Sequence, residues 1–340
     1  MLLGKHWFPW SALMAVALIL CAVVQVAHAQ SELSDVHIQP RIVTSPQPVF
    51  EPSLNTHGVI IRKNVDLVLV PVTVTDGSNR LITGLDEGNF QIFEGRESQQ
   101  IKHFSFEDTP VSIGILLDVS GSMATKIERA RESVTELLRS SNPEDESFLI
   151  TFSDTPQLVQ DFTHNPDEVQ SHLLFTAPKG RTSLLDAIFL AIDNMERAKY
   201  ERKALLIISD GGDNRSRYTE NDVKSLVKEA DVLVYSIGIF DRNFPTLEER
   251  LGPGLLSEIS ALTGATSYTL DNPNDLPQIT RRIAMELRNQ YVLGYHPSIS
   301  KRDGRYRKIK VKLMPPRGIS GLHAQARAGY YAPSEKSLNR

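Results

Sequence analysis

The stretch from Val111 to Leu287 alternates short apolar runs with segments whose apolar residues recur three and four positions apart, and that alternation leaves few folds open. Ser112 to Leu117 (SIGILL) reads as a buried parallel strand ending in Asp118. Ile127, Ala130, Val134, Leu137 and Leu138 then follow helical spacing, and Asn142-Pro143 closes that helix. The cycle repeats: Phe148 to Phe152 as strand, Leu185, Ile188, Ile192 and Met195 as a helix face, Ala204 to Ser209 (ALLIIS) as buried strand. Val223, Leu226 and Val227 mark a helix, Val232 to Ile239 a strand, and Leu255 to Leu262 a helix stopped by Gly264. Thr266 to Leu270 is a last short strand, and Leu276, Ile279, Ile283 and Leu287 mark a last helix. Strands alternating with helices predict an α/β domain, a doubly wound, mainly parallel sheet with helices on both faces, over 108–290.

The flanks have a different texture. Val65 to Val74 (VDLVLVPVTV) is β-rich, with Pro71 marking an edge or a bulge. Asp76-Gly77-Ser78-Asn79 and Glu94-Gly95 are turns around the short strands Leu81–Gly84, Phe90–Phe93 and Gln100–Phe104. Beyond Gln290, Tyr291–Tyr295, Tyr306–Leu313 and Leu322–Ala328 again read as strands. Neither set alone is large enough to bury a core. The economical solution is one small antiparallel β-sandwich made of 58–107 and 291–332, with the α/β domain inserted between its halves.

The N-terminus carries a targeting pattern. Lys5 and His6 precede an apolar stretch from Ser11 to Val24, and Ala27-His28-Ala29 places small residues at the cleavage site. That apolar stretch is too short to span a bilayer comfortably and has no basic stop-transfer flank, so residues 1–29 read as a cleaved signal peptide. The expectation is an exported protein, periplasmic or extracellular, with no transmembrane segment in the mature chain. Cys21 is the sole cysteine, and Leu20 before it argues against lipidation. Residues 30–57, rich in Ser, Pro and Gln, read as a disordered linker, and 333–340 as a disordered tail. A net charge of -4 gives no footprint for nucleic acid. The basic run Lys301, Arg302, Arg305, Arg307, Lys308, Lys310 and Lys312 lies on a strand pattern and reads as a solvated face or edge.

Chemistry concentrates at Asp118-Val119-Ser120-Gly121-Ser122, where a buried strand meets a helix. Ligands of open α/β sheets bind at this carboxyl edge. Two further strand-end loops offer Thr182 (Gly180-Arg181-Thr182-Ser183) and Asp210 (Ser209 to Asp213). Two carboxylates and three hydroxyls form an all-oxygen set suited to a small divalent cation, Mg²⁺ first, with Mn²⁺ and Ca²⁺ as alternatives. The competing reading is that Asp118 and Ser120 only cap the following helix. Asp213 reads as a turn former or a support for the site rather than half of an acid–base pair. His103, His164, His172, His296 and His323 lack zinc-ligand spacing, and no G-x-S-x-G, phosphate-binding or dinucleotide motif is present.

On these residues, from about Val111 to Gln290, the sequence resembles a von Willebrand factor type A domain, with a metal-ion-dependent adhesion site of the form D-x-S-x-S, then Thr, then Asp. The resemblance implies that Ser120, Ser122 and Thr182 are direct or switchable ligands, and that Asp118 and Asp210 act directly or through water. It also implies one coordination position open to an Asp or Glu of a partner protein. Arg181 stands where many relatives carry glycine. The whole chain further resembles a bacterial exported "VWFA-related" group, through Val74-Thr75-Asp76 to Phe93-Glu94-Gly95, Gln290 to Tyr295, and Gly329-Tyr330-Tyr331. The function implied is a non-catalytic protein-binding or cell-adhesion module. A structural cell-envelope component with a fixed metal is the alternative, and a metal-dependent hydrolase is a more distant one.

Overall fold

A computed structural model describes residues 67–210, 212–240, 247–298, 301–316 and 321–333, with side chains of 247–251 left aside. The signal peptide and linker readings, the first part of the leading β segment (58–66) and nearly all of the tail lie outside the described residues.

The central sheet comprises β5 (Ser112–Asp118), β6 (Glu146–Phe152), β7 (Pro156–Thr163), β8 (Lys203–Ser209), β9 (Leu233–Ile239) and β10 (Ser267–Leu270), in the order β10-β9-β8-β5-β6-β7. All pairings are parallel except β6 with β7. Two apolar layers follow from strand alternation. Ile113, Ile115 and Leu117 of β5 face the helices α1 (Ile127–Ser140), α2 (Pro166–Leu174) and α6 (Leu276–Arg288). Leu116 and its neighbours Leu205 and Ile207 face α3 (Leu184–Met195), α4 (Glu220–Glu229) and α5 (Leu247–Thr263). With both faces covered, the inner strands β5, β6 and β9 are buried along their whole length, which is why they read as largely apolar runs. A side chain at Gly114 would crowd its neighbours: a Cβ would lie 2.4 Å from both Leu205 Cδ2 and Phe148 Cζ.

The flanks do pair with each other. One four-stranded sheet has the order β13-β1-β11-β4, with β1 at Val68–Thr75, β4 at Ile101–Ser105, β11 at Tyr291–Tyr295 and β13 at His323–Ala326. The other runs β14-β12-β2-β3, with β2 at Phe90–Glu94, β3 at Glu97–Gln99, β12 at Tyr306–Leu313 and β14 at Gly329–Tyr331. Both contribute to one buried cluster, Val70, Val72, Tyr291 and Leu293 from the first and Phe90, Ile92, Ile309 and Tyr330 from the second. Pro71 sits on the half of β1 that pairs with β11 before β13 begins at Val72, so its missing N–H falls where β1 has one neighbour. Lys308, Lys310 and Lys312 point outward as the alternation predicts, but Arg307 turns inward. Its guanidinium pairs with Glu94 at 3.4 Å, and the same carboxylate accepts the hydroxyls of Tyr295 at 2.9 Å and Tyr330 at 3.0 Å.

Candidate functional site

Strand order determines where a crevice opens. β5 comes first in the chain but lies mid-sheet, with β6 on one side and β8 on the other, so the winding direction reverses beside β5. A crevice forms outside the carboxyl ends of strands at such a reversal. Asp118 is the last residue of β5, and Asp210 directly follows the last residue of β8. Both are completely buried.

The loop after β5 folds back on its own carboxylate. The Ser120 N–H donates to Asp118 Oδ1 at 2.8 Å, and the Ser209 hydroxyl donates to Asp118 Oδ2 at 2.6 Å. Residues Gly121–Thr125 form a short 3-10 turn ahead of α1, with Ser120 at its N-cap but no capping bond from the Ser120 hydroxyl. That hydroxyl lies 3.1 Å from the Ser122 hydroxyl, which donates to Asp210 Oδ1 at 2.8 Å. The hydroxyls therefore turn toward the opposite strand end rather than toward helix capping. Asp210 Oδ2 accepts from Lys126 Nζ at 2.8 Å, and that lysine is only 14% exposed.

Thr182 is buried and joined to the site through backbone. The Gly121 N–H donates to the Gly180 carbonyl at 3.0 Å, and the Lys179 N–H donates to the Val119 carbonyl at 2.8 Å. On its other side, the Thr182 N–H donates to Asn214 Oδ1 at 2.9 Å, while its carbonyl accepts from the Asn214 N–H at 3.1 Å. Asp213 supports the same junction, accepting from the Leu185 N–H at 3.0 Å and the Ser216 N–H at 3.0 Å. Gly180 has φ +79°, and a Cβ there would stand 2.5 Å from Asp154 Oδ2. The structure thus links Asp118, Ser120, Ser122 and Asp210 through a chain of polar contacts, and it ties the Thr182 loop to both neighbouring loops.

Burial pushes the Asp118 carboxyl up to about 6; the Ser209 hydroxyl opposes this and the nearby Asp210 adds to it. Two carboxylates removed from water favour a cation beside them, and Lys126 already supplies one. The donors are hard oxygens, so the set fits a divalent cation of the Mg²⁺ or Mn²⁺ kind. Among the described residues, no three His, Cys, Asp or Glu side chains gather as metal ligands; beyond its two carboxylates this site offers hydroxyls. Sequence reading missed Lys126 and Asn214.

Fold and site together define a doubly wound α/β domain with linked carboxylates and hydroxyls at its strand reversal. Residues 113–212, within the α/β unit, match the family model of the von Willebrand factor type A domain. Over 175 residues the chain is 27% identical to inter-alpha-trypsin inhibitor heavy chain H4 of Bos taurus, covering 46% of this chain and 19% of that protein. The chain thus spans about a fifth of the length of the curated relatives it matches. Among solved structures, it is similar to a von Willebrand factor type A protein from Catenulispora acidiphila (TM-score 0.46, 11% identity, 83% of this chain and 77% of that one). It is also similar to the vWF domain of the type V pili tip protein Mfa5 from Porphyromonas gingivalis (TM-score 0.42, 13% identity, 52% of this chain and 95% of that one).

Proposed function

We propose that this chain is an exported, non-catalytic protein-binding module that captures an Asp or Glu of a partner through a divalent cation held by Asp118, Ser120, Ser122, Thr182 and Asp210. The observation that carries the reading is the linkage of two completely buried carboxylates with the Ser120 and Ser122 hydroxyls at the strand reversal. A pair of buried charges is costly unless compensated, so an arrangement of this kind favours cation binding. When bound, the cation would supply a concentrated positive charge for a partner carboxylate. The chain's own part is positional: Ser209 and the Ser120 N–H orient Asp118, and Ser122 orients Asp210. Export rests on the apolar stretch Ser11 to Val24 and the Ala27-His28-Ala29 cleavage pattern. Among the described residues, no helix is long and apolar enough to cross a membrane.

Melting of the purified protein with Mg²⁺, Mn²⁺, Ca²⁺ or EDTA tests the reading, beside Asp118→Ala and Thr182→Ala. An ion at a hundred times its Kd stabilises by about 2.7 kcal/mol. For a chain of this size that is roughly 4 °C in Tm. Wild type should show the shift and both variants should lose most of it, together with metal-dependent capture of carboxylate-bearing partners. Identical melting in EDTA and in every ion would refute the proposal.

A further inference from the structure

Asp210 has both carboxylate oxygens engaged, one by the Ser122 hydroxyl and one by the Lys126 ammonium. Lys126 occupies the junction between the 3-10 turn Gly121–Thr125 and α1, where its own N–H donates to the Met123 carbonyl at 2.9 Å and its carbonyl accepts from the Ala130 N–H at 3.0 Å. Its backbone is therefore held by the same turn that carries Ser122. The ammonium reaches back across the crevice to the opposite strand end, 2.8 Å from a carboxylate with no exposed surface. A surface ion pair of this length would count for little, but here one partner is fully desolvated and the other is 14% exposed.

We infer that Lys126 is a tethered cation that competes with a divalent ion for Asp210 and so weakens ion binding at this site; the inference rests on the metal-site reading above. Formal charge makes the argument. Asp118 and Asp210 contribute two negative charges, which a divalent ion alone would cancel. With Lys126 present, the ion must join a site that already holds one positive charge, and the loaded site ends one unit positive. That repulsion lowers affinity, and part of the attraction of Asp210 is already taken up by the ammonium. In the metal-free protein the same lysine is stabilising, because it compensates a buried carboxylate.

The test is Mn²⁺ titration followed by electron paramagnetic resonance, with melting in EDTA and in Mn²⁺, on wild type, Lys126→Met, Lys126→Gln and Lys126→Arg. Asp118→Ala serves as the control that the ion sits here. Lys126→Met should bind Mn²⁺ roughly tenfold or more tightly than wild type, the lower end of what one neighbouring charge does to the proton affinity of a carboxylate. Its melting point should fall in EDTA and recover in Mn²⁺. Lys126→Gln removes the charge but keeps a donor for Asp210, so it gives the same tightening with a milder loss in EDTA, and it serves if Lys126→Met does not fold. Lys126→Arg keeps the charge and should bind no tighter than wild type. Equal or weaker Mn²⁺ binding in both neutral variants, with wild type still binding, overturns the inference while leaving the metal site in place. Absence of Mn²⁺ binding in all of them overturns both.

Discussion

Glu94 sits where the two separated halves of the sandwich meet, and its removal should unfasten them. The carboxylate is 8% exposed and accepts Tyr295 and Tyr330 hydroxyls and the Arg307 guanidinium. Glu94 comes from the chain before the α/β domain; its three partners come from after it. Glu94→Gln would keep the shape, take away the nearer of Arg307's two carboxylate partners, leaving Asp303 at 3.8 Å, and supply one carbonyl oxygen where two carboxylate oxygens served. Breaking a buried pair by removing one partner costs about 3–5 kcal/mol. Tyr330→Phe deletes one hydrogen bond to a charged acceptor, about 1.5–3 kcal/mol. The double variant should lose less than the sum, with a coupling of about 0.5–3 kcal/mol, because both changes strike one network. Both tryptophans, Trp7 and Trp10, lie in the N-terminal apolar region, so urea unfolding is best followed by far-ultraviolet circular dichroism. A Glu94→Gln midpoint indistinguishable from wild type would refute the idea that this cluster fastens the flanks together.

Three other substitutions separate support of the site from its donors. Gly114→Ala forces a methyl group against Leu205 and Phe148 at the centre of the sheet; overpacking should cost about 1–3 kcal/mol in urea unfolding and leave Mn²⁺ affinity unchanged once folded. Gly180→Ala meets a left-handed φ of +79° and the Asp154 carboxylate, so about 1–3 kcal/mol of strain should appear in melting, with weakened Mn²⁺ binding measured by titration. Asp213→Ala leaves the Leu185 and Ser216 N–H groups without their acceptor; about 1–3 kcal/mol should be lost, and the metal-dependent rise in Tm should shrink although no oxygen of the proposed ligand set has been removed.

The α/β alternation was legible because inner parallel strands are apolar on both faces and their helices carry one apolar stripe. Tyr306–Leu313, read from alternation alone, is the observed β12. The antiparallel edge strand β7 (PQLVQDFT) escaped detection because it has no fully buried residue and hence no strong period. The nine-residue α2 buries only Val169 and Leu173, too few for a helical stripe, though Asn165-Pro166 was a usable start signal. At the site, the carboxylates and hydroxyls announced themselves by residue type. Lys126 did not, since a lysine near a helix start ordinarily faces water; only the fold brings it against Asp210. Arg307 was read as solvated for the same reason, and only the pairing of β12 with β2 sets it against Glu94.

The insertion also determines which end of the α/β domain is free. The chain enters the domain at Ser112, the amino end of β5, and leaves it after α6 with just Asn289 and Gln290 before β11. Gln290 is buried, and its amide donates to Thr73 Oγ1 of β1 and to the Tyr235 hydroxyl of β9, both at 3.3 Å. Arg202, just before β8, donates to the Thr109 carbonyl at 2.6 Å and to the Leu287 carbonyl, gathering the entry and exit segments at one place. Its guanidinium is held below its ordinary pKa by burial, against the pull of Asp108 and Asp145. Asp118 lies at the other end of β5, six residue steps or about 20 Å away along an extended strand. Among the described residues, the sandwich therefore meets the α/β domain at the amino ends of its parallel strands. An anchor at the amino-end face sets Asp118 and Asp210 at the far end of the sheet from the sandwich, the placement that the proposed capture of a partner carboxylate calls for.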